Sequence, residues 1–130
     1  MPRVWKAPRR GRCIGLPESP LDLALEYMAH FFAGNISGLR HVLAADLSFA
    51  GPFHSFHSAE AYLASLEADP PVGCSYEVLS TFENPSAVCL VYRFTKPGVS
   101  TTMAQVFEVA DGKIRKIRLV FDTGAFGTRE

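Results

Sequence analysis

Residues 100–123, STTMAQVFEVADGKIRKIRLVFDT, decide the fold of this chain. Two apolar-rich segments of alternating character flank the dipeptide Asp111-Gly112. This dipeptide between such segments is a strong local signal for a β-hairpin, because both of its residues accept the positive φ of a type I′ turn. The sequence therefore predicts two antiparallel strands joined by a tight turn.

A regular ladder counted outward from this turn gathers polar side chains on one face. It pairs Gln105 with Arg118 and Met103 with Val120, and Asp122 follows Arg118 and Val120 on the same face. Apolar side chains surround these polar groups in both strands. The hairpin therefore predicts one wall of a ligand-sized pocket.

Helical patterns precede the strands. One helix is predicted from Ser19-Pro20 to Gly34, a short second helix follows it, and a third covers residues 59–68. A brief strand at residues 47–50 lies between the second and third helices. Strands at 74–82 and 87–94 lead into the hairpin, which predicts an α+β domain with a curved antiparallel sheet and three N-terminal helices packed on its concave face.

Length and composition restrict the class of protein. The 130 residues fit one domain with a real core, and 48% of them are apolar, which excludes disorder of the whole chain. Five basic residues and no acid lie within the first sixteen residues, and 8 basic against 13 acidic residues remain. A mildly acidic body argues against a nucleic-acid partner.

We interpret residues 1–18 as a basic, flexible tail and residues 19–130 as the folded domain. The alternative for the tail is an arm that binds nucleic acid or a membrane surface. No apolar run is long enough for a signal peptide or a membrane span, so no membrane partner is expected. The three cysteines lack CxxC spacing, which predicts no zinc or redox site and favours a reduced, cytoplasmic protein.

Both faces of the predicted sheet are largely apolar, and the helices can cover only one of them. An antiparallel sheet usually leaves its second face polar and in contact with water. A large apolar patch is costly to expose, so we predict a homodimer that forms through the uncovered sheet face.

Three segments resemble the nuclear transport factor 2-like superfamily: AGNI at residues 33–36, DLSFAGPF at 46–53 and FEVADGKIRKIRLVFD at 107–122. The resemblance runs from about Pro20 to Thr123. This superfamily of cone-shaped α+β domains includes ketosteroid isomerase, SnoaL-like polyketide cyclases, scytalone dehydratase and limonene-epoxide hydrolase. It hosts many chemistries, so the resemblance implies a fold and a pocket more than one activity.

The resemblance also implies roles for individual residues. Tyr27 has the spacing to Gly34 of the oxyanion tyrosine in ketosteroid isomerase, and Gln105 stands where that enzyme has a protonated aspartate. The base aspartate of that enzyme is replaced by Gly51. Asp122 is the nearest match to the final-strand aspartate of the cyclases and of epoxide hydrolase.

Five residues are the catalytic candidates. Asp122 would be the acid/base, although it could equally cap the turn that follows it. Arg118, Gln105 and Tyr27 would orient the substrate, while structural roles, such as a pair between Arg118 and Asp122, are the alternative. His54, in the loop after the first strand, is the alternate base. The residues predicted to bind substrate are Phe31, Phe53, Tyr62, Tyr92, Met103 and Val120.

These features predict a small enzyme that moves protons on a small hydrophobic organic molecule, as an isomerase, cyclase, dehydratase or hydrolase. We expect no metal and no cofactor, because no ligand set with metal-binding spacing is present. The competing hypothesis is a non-catalytic ligand-binding or dimerisation module of the same fold.

Overall fold

The structure, a computed structural model, describes residues 19–126, with the backbone alone at residues 125–126. The predicted basic tail, residues 1–18, lies outside the described residues, and so do residues 127–130. The elements are α1 (Pro20–Ala33), α2 (Ile36–Val42), β1 (Leu43–Ala50), β2 (Ser55–Phe56), α3 (Ala59–Ala68), β3 (Ser75–Asn84), β4 (Ala87–Lys96), β5 (Val99–Ala110), β6 (Lys113–Phe121) and a 3-10 turn (Thr123–Phe126).

The helices begin and end where their sequences predict. The Ser19 side chain caps α1 by accepting a hydrogen bond from the Asp22 backbone N at 3.1 Å, and the Asp22 carboxylate accepts one from the Ser19 backbone N. Gly34 ends α1 with a φ of 72°, in the left-handed region that glycine adopts without strain. Ser58 caps α3 through the backbone N of Ala61. These caps fix the helices that form the roof of the domain.

The six strands form one curved, unclosed sheet in the order β2-β1-β6-β5-β4-β3. The predicted α+β cone with three helices is confirmed. The sheet is mixed, however, because β1 runs parallel to β6, whereas every other neighbouring pair is antiparallel. A parallel pair needs a long connection, and here α3 and three strands of the meander separate β1 from β6.

The hairpin forms as predicted at its turn and departs from the prediction beyond it. Asp111 and Gly112 both have positive φ, 56° and 74°, and Ala110 lies opposite Lys113. The ladder then shifts by one residue between Glu108 and Val109, which makes Arg115 the extra residue of a β-bulge on β6.

This bulge reverses the two faces of β6 beyond Arg115. The predicted register is wrong there: Gln105 lies opposite Leu119 and Met103 lies opposite Phe121. Since successive side chains of a strand point to opposite faces, a shift of one residue exchanges the whole set. Leu119 and Phe121 therefore lie on the helix side of the sheet, and the neighbouring polar residues of β6 lie on the other side.

The core fills the space between the helices and the concave face of the sheet. Its largest fully buried side chains include Phe107, Leu90, Ile114 and Ile117 of the sheet and Met28 of α1. Phe107 contacts Tyr27 edge-on, with 5.2 Å between the ring centroids. This contact joins α1 to the concave face of the sheet.

Candidate functional site

A cavity of about 230 Å³ opens between α1, α3, the β1–β2 turn and the sheet. Phe and Tyr supply ten of its nineteen lining residues, and two methionines and two leucines line it as well. Among these lining residues none is Asp, Glu, Lys or Arg. The cavity is therefore apolar and uncharged, with a few polar groups that can fix the orientation of a ligand.

Four polar side chains meet at the buried end of this cavity. The hydroxyls of Tyr27 and Tyr62 share one hydrogen bond, and the Tyr92 hydroxyl donates to Oε1 of Gln105 at 2.7 Å. All four residues are buried, and each is at most 3% exposed. Because the carbonyl oxygen of Gln105 accepts from Tyr92, its amide N–H groups are left to donate, and Gln105 hydrogen-bonds to Tyr27.

The Tyr27–Tyr62 pair keeps one hydroxyl proton for another acceptor. Each hydroxyl carries a single proton, and the shared bond uses one of the two. The floor of the cavity therefore presents an O–H donor in a region that is shielded from water. The amide of Gln105 supports this donor. A buried donor of this kind is costly unless something accepts from it.

Burial holds these tyrosines in their protonated form. Burial raises the pKa of Tyr27 to about 12, while hydrogen bonds from Tyr62 and Gln105 act in the opposite direction. Burial also raises the pKa of Tyr62 and the pKa of Tyr92 well above the usual value for tyrosine, and the neighbouring Tyr27 adds to both shifts. The three hydroxyls are therefore hydrogen-bond donors at neutral pH and not bases.

His54 lies at the exposed mouth of the cavity, in the turn between β1 and β2. The backbone N of Gly51 donates to the carbonyl oxygen of His54 at 2.9 Å, which closes this turn. The imidazole stacks on Phe56, with 6.0 Å between the ring centroids, and contacts Phe53 edge-on. Phe53 in turn contacts Phe121 at 5.3 Å, so the mouth is framed by aromatic rings.

The predicted site residues divide into two groups. Eight of them line one cavity: Tyr27, Gln105, His54, Phe31, Phe53, Tyr62, Tyr92 and Met103. The structure thus brings the polar candidates of α1, α3 and β5 together with the predicted aromatic residues.

The placement predicted for Asp122, Arg118 and Val120 is wrong. All three are exposed and do not line the cavity, and Val120 is 55% exposed. The bulge at Arg115 is the physical reason, because it turns Arg118 and Val120 to the outer face of the sheet. The Asp122 carboxylate accepts a hydrogen bond from the backbone N of Gly124 at 2.9 Å, which is the turn-capping role that competed with catalysis.

Sequence reasoning missed several lining residues, of which Leu119, Phe121 and Ser65 are the most informative. Leu119 and Phe121 were assigned to the wrong face by the regular ladder. Ser65 follows Tyr62 by one helical turn on α3, so helical spacing could have placed both on the cavity side. Its hydroxyl adds a polar group to the cavity wall.

Within residues 19–126, no cluster of three or more His, Cys, Asp or Glu side chains is arranged to hold a metal ion. None of the helices in this described part is long and apolar enough to cross a membrane.

The family profile of the SnoaL-like domain matches residues 24–117. No curated protein sequence matches the chain significantly. Among solved structures, an NTF2-like protein of unknown function from Cytophaga hutchinsonii is 22% identical with a TM-score of 0.76, and the match covers 88% of this chain and 100% of that one.

Two further solved structures are similar. A protein from Kribbella flavida is 27% identical with a TM-score of 0.73, over 83% of this chain and 90% of that one. An LEH-like epoxide hydrolase of M. tuberculosis is 18% identical with a TM-score of 0.71, over 82% and 84% of the two chains. At such identities the likeness to the first and third structures establishes the fold alone. The family match covers most of the chain, and the chain belongs to the SnoaL-like domain family of the nuclear transport factor 2-like superfamily.

Proposed function

We propose that this protein is an acid/base enzyme that binds a small, hydrophobic carbonyl compound and moves a proton next to the carbonyl group. The Tyr27–Tyr62 hydroxyl pair donates a hydrogen bond to the carbonyl oxygen, and His54 accepts the proton from the adjacent carbon. The bonding electrons then shift to the oxygen as an enolate forms. Where the substrate is a β,γ-unsaturated ketone, His54 returns the proton to the γ-carbon of the dienolate, the electron pair on the oxygen re-forms the carbonyl, and the double bond moves into conjugation.

The observation that carries this proposal is the unshared hydroxyl proton at the floor of an apolar cavity. A hydroxyl proton that is free to donate in a water-poor site stabilises negative charge on an oxygen with little reorganisation during the reaction. Gln105 supports this donor because Tyr92 fixes its amide. Membership of the SnoaL-like domain family supports an enzymatic or ligand-binding role at the family level.

His54 supplies the proton acceptor that the cavity otherwise lacks. Gly51 stands where ketosteroid isomerase has its base, and the described lining residues include no carboxylate. A neutral imidazole can accept a proton near neutral pH. Two observations support this role: His54 lines the cavity at its mouth, and its imidazole is exposed and stacks on Phe56.

One observation favours the non-catalytic alternative. The acid that the sequence favoured, Asp122, caps a turn outside the cavity, and the described lining residues include one imidazole, that of His54, and no carboxylate. A ligand-binding module needs the cavity and its donors and requires no base.

Proton exchange on a probe ketone tests the proposal without knowledge of the natural substrate. Indanone in D₂O should exchange its α-hydrogens faster with the protein than without it, as followed by NMR. His54→Ala should slow this exchange by at least a factor of about 100, since a positioned base contributes about that much or more. His57→Ala is the matched control, because His57 is exposed in the same segment and does not line the cavity. Binding of indanone without faster exchange would support the non-catalytic alternative.

We also propose that the outer face of the sheet forms a homodimer. The middle of this face consists of the half-buried side chains of Cys89, Val91, Ala104 and Val106, which form an apolar patch. Phe82 beside them is 62% exposed, and burying it against a second copy would remove a large apolar surface from water.

Sedimentation velocity at micromolar concentration should therefore show a dimer. Ala104→Asp should convert it to a monomer, because Val91 and Val120 lie directly opposite this position and would leave the new carboxylate unpaired in the middle of the interface. Glu108→Asp is the control, because Glu108 lies on the same strand and the same face but is exposed at the edge of the patch. This substitution should leave the dimer intact. A wild-type protein that sediments as a monomer contradicts the dimer.

A further inference from the structure

We propose that the cavity selects neutral carbonyl compounds of one or two rings and rejects both ionised molecules and molecules of three or more rings. This substrate class deepens the proposed function and rests on it for the role of the carbonyl oxygen. Cavity volume, the packing of the aromatic walls and the absence of charge among the lining residues each support it.

The volume limits the number of rings. An engineered cavity of about 150 Å³ lined by apolar side chains holds one benzene molecule, and pockets for drug-sized ligands begin at about 300 Å³. The cavity of this protein has about 230 Å³ and falls between these values. A ligand with one or two fused rings and one oxygen fills such a space, whereas a four-ring skeleton exceeds it.

The wall on the α1 side is closed by packed aromatic rings. Phe32 contacts Tyr76 and Phe94, with 4.5 Å and 6.1 Å between the ring centroids, and Phe31 packs edge-on against Phe32 at 5.0 Å. A longer ligand could enter only by separating these rings. Each aromatic contact of this kind contributes to stability beyond its buried area, so the wall resists opening.

The opposite wall is closed in the same way. Phe49 stacks on Tyr62 with 4.9 Å between the ring centroids and an angle of 19°, and Phe56 contacts both of them. The two walls hold a slot between aromatic faces, which suits a flat ring system. Tyr62 also belongs to the hydroxyl pair, so the same wall that limits the width of the ligand fixes the position of its oxygen.

The chemistry of the lining excludes ions. An ionised carboxylate that enters the cavity loses its water, and no lysine or arginine among the described lining residues compensates for this loss. Neutral hydroxyl and amide donors satisfy a carbonyl oxygen, which carries only a partial charge. Ionised analogues of a good ligand should therefore bind far more weakly than the neutral compound.

Calorimetric titration of the full-length protein with four probes tests this selectivity. Indanone should bind at least about fivefold more tightly than indane, which has the same rings and no oxygen, because one hydrogen bond contributes on the order of 1 kcal/mol. Indane carboxylate should bind at least a hundredfold more weakly than indanone. A four-ring steroid ketone should show no binding.

A pair of variants tests whether the wall on the α1 side limits the number of rings in the ligand. Phe32→Ala should enlarge the slot and increase the affinity for a three-ring ketone at least tenfold. Val72→Ala removes an apolar side chain that is 79% exposed and lies outside the cavity and the proposed dimer interface, and it should change nothing in the cavity. If folded Phe32→Ala protein gains no affinity for the three-ring ketone, the proposed size limit is wrong.

The outcomes separate the two proposals. If the steroid ketone or the carboxylate binds the wild-type protein as tightly as indanone, and Tyr27→Phe weakens that binding, the selectivity is wrong and the proposed function stands. If indanone and indane bind equally and Tyr27→Phe changes neither, the proposed function is wrong. Preferential binding of indanone over indane, carboxylate and steroid supports both.

Discussion

Replacing Tyr27 with Phe is expected to slow the α-hydrogen exchange of bound indanone by about a hundredfold to a thousandfold. Removal of one donor from a preorganised oxyanion site typically has an effect of this size on the rate of catalysis. The substitution removes only the hydroxyl, and the ring continues to pack against Phe31 and Phe107. NMR in D₂O measures the exchange rate directly, and calorimetry measures how much of the loss comes from weaker binding.

Tyr76→Phe is the matched control for this experiment. Tyr76 is half-buried and packs on Phe32 and Tyr92, but it does not line the cavity. Its replacement should leave the exchange rate within a factor of about two, because it removes a hydroxyl that does not line the cavity and keeps the ring. Equal effects of the two substitutions would show that a general loss of packing, and not the lost donor, slows the exchange.

The effect of Tyr27→Phe should not depend on pH in the neutral range. Burial raises the pKa of Tyr27 to about 12, so the hydroxyl keeps its proton throughout that range and donates equally well at each pH. The ratio of the wild-type and Tyr27→Phe exchange rates should therefore stay constant when NMR measures the exchange on either side of neutral pH.

Deleting Arg118 from β6 is expected to lower the free energy of unfolding by about 2 to 3 kcal/mol. The deletion shifts the rest of the strand by one residue, which turns Leu119 and Phe121 to the outer face and the smaller Val120 to the helix side. Leu119 and Phe121 are half-buried, so each loses only part of the roughly 1.5 to 3 kcal/mol that a fully buried side chain contributes. Such a loss is a large share of the stability of a small domain.

Deleting Arg115 should cost far less, about 1 kcal/mol or less. Arg115 is the extra residue of the bulge, so its removal leaves Ile117, Leu119 and Phe121 on the helix side of the sheet. It removes one exposed ion pair, between Arg115 and Asp46 at 2.8 Å, and such pairs contribute little. Urea denaturation measures both deletions, and equal losses of stability would contradict the assignment of the bulge.

The spacing of apolar residues in β6 carried the information that a regular ladder missed. Ile114, Ile117, Leu119 and Phe121 all lie on the helix side, with spacings of three, two and two residues. A regular strand that starts at Ile114 would instead bury Lys116 and Arg118. The interval of three therefore signals an extra residue between Ile114 and Ile117. The turn alone gives no sign of it and predicts a ladder without a bulge.

Local chemistry explains why the helices and the turn could be predicted. Ser19, Ser58 and Gly34 mark helix ends through their own backbone and side-chain preferences, and Asp111-Gly112 sets the turn in the same way. These signals act over a few residues. The parallel pairing of β1 with β6 depends on the packing of the whole chain, and no local pattern predicts it.

The candidate site also combines features that local sequence predicts with contacts that form only when the chain packs. The spacing of Tyr27 from Gly34 suggested a hydrogen-bond donor, and the structure places that hydroxyl in the cavity. Tyr62, its partner, was predicted only as a substrate-binding residue, because the two tyrosines lie 35 residues apart on different helices and meet only when those helices pack. Asp122 was favoured because a regular ladder, which takes no account of the bulge at Arg115, assigns its side chain to the cavity face of the sheet.

The infrared carbonyl band of bound indanone tests most directly whether the tyrosine pair at the cavity floor donates to a ligand oxygen. A hydrogen bond weakens the C=O bond and lowers its stretching frequency. In complex with the wild-type protein the band should lie at a lower frequency than in an apolar solvent, and in complex with Tyr27→Phe it should return toward the apolar value. A band that is the same in both complexes, and equal to that in the apolar solvent, would contradict the account.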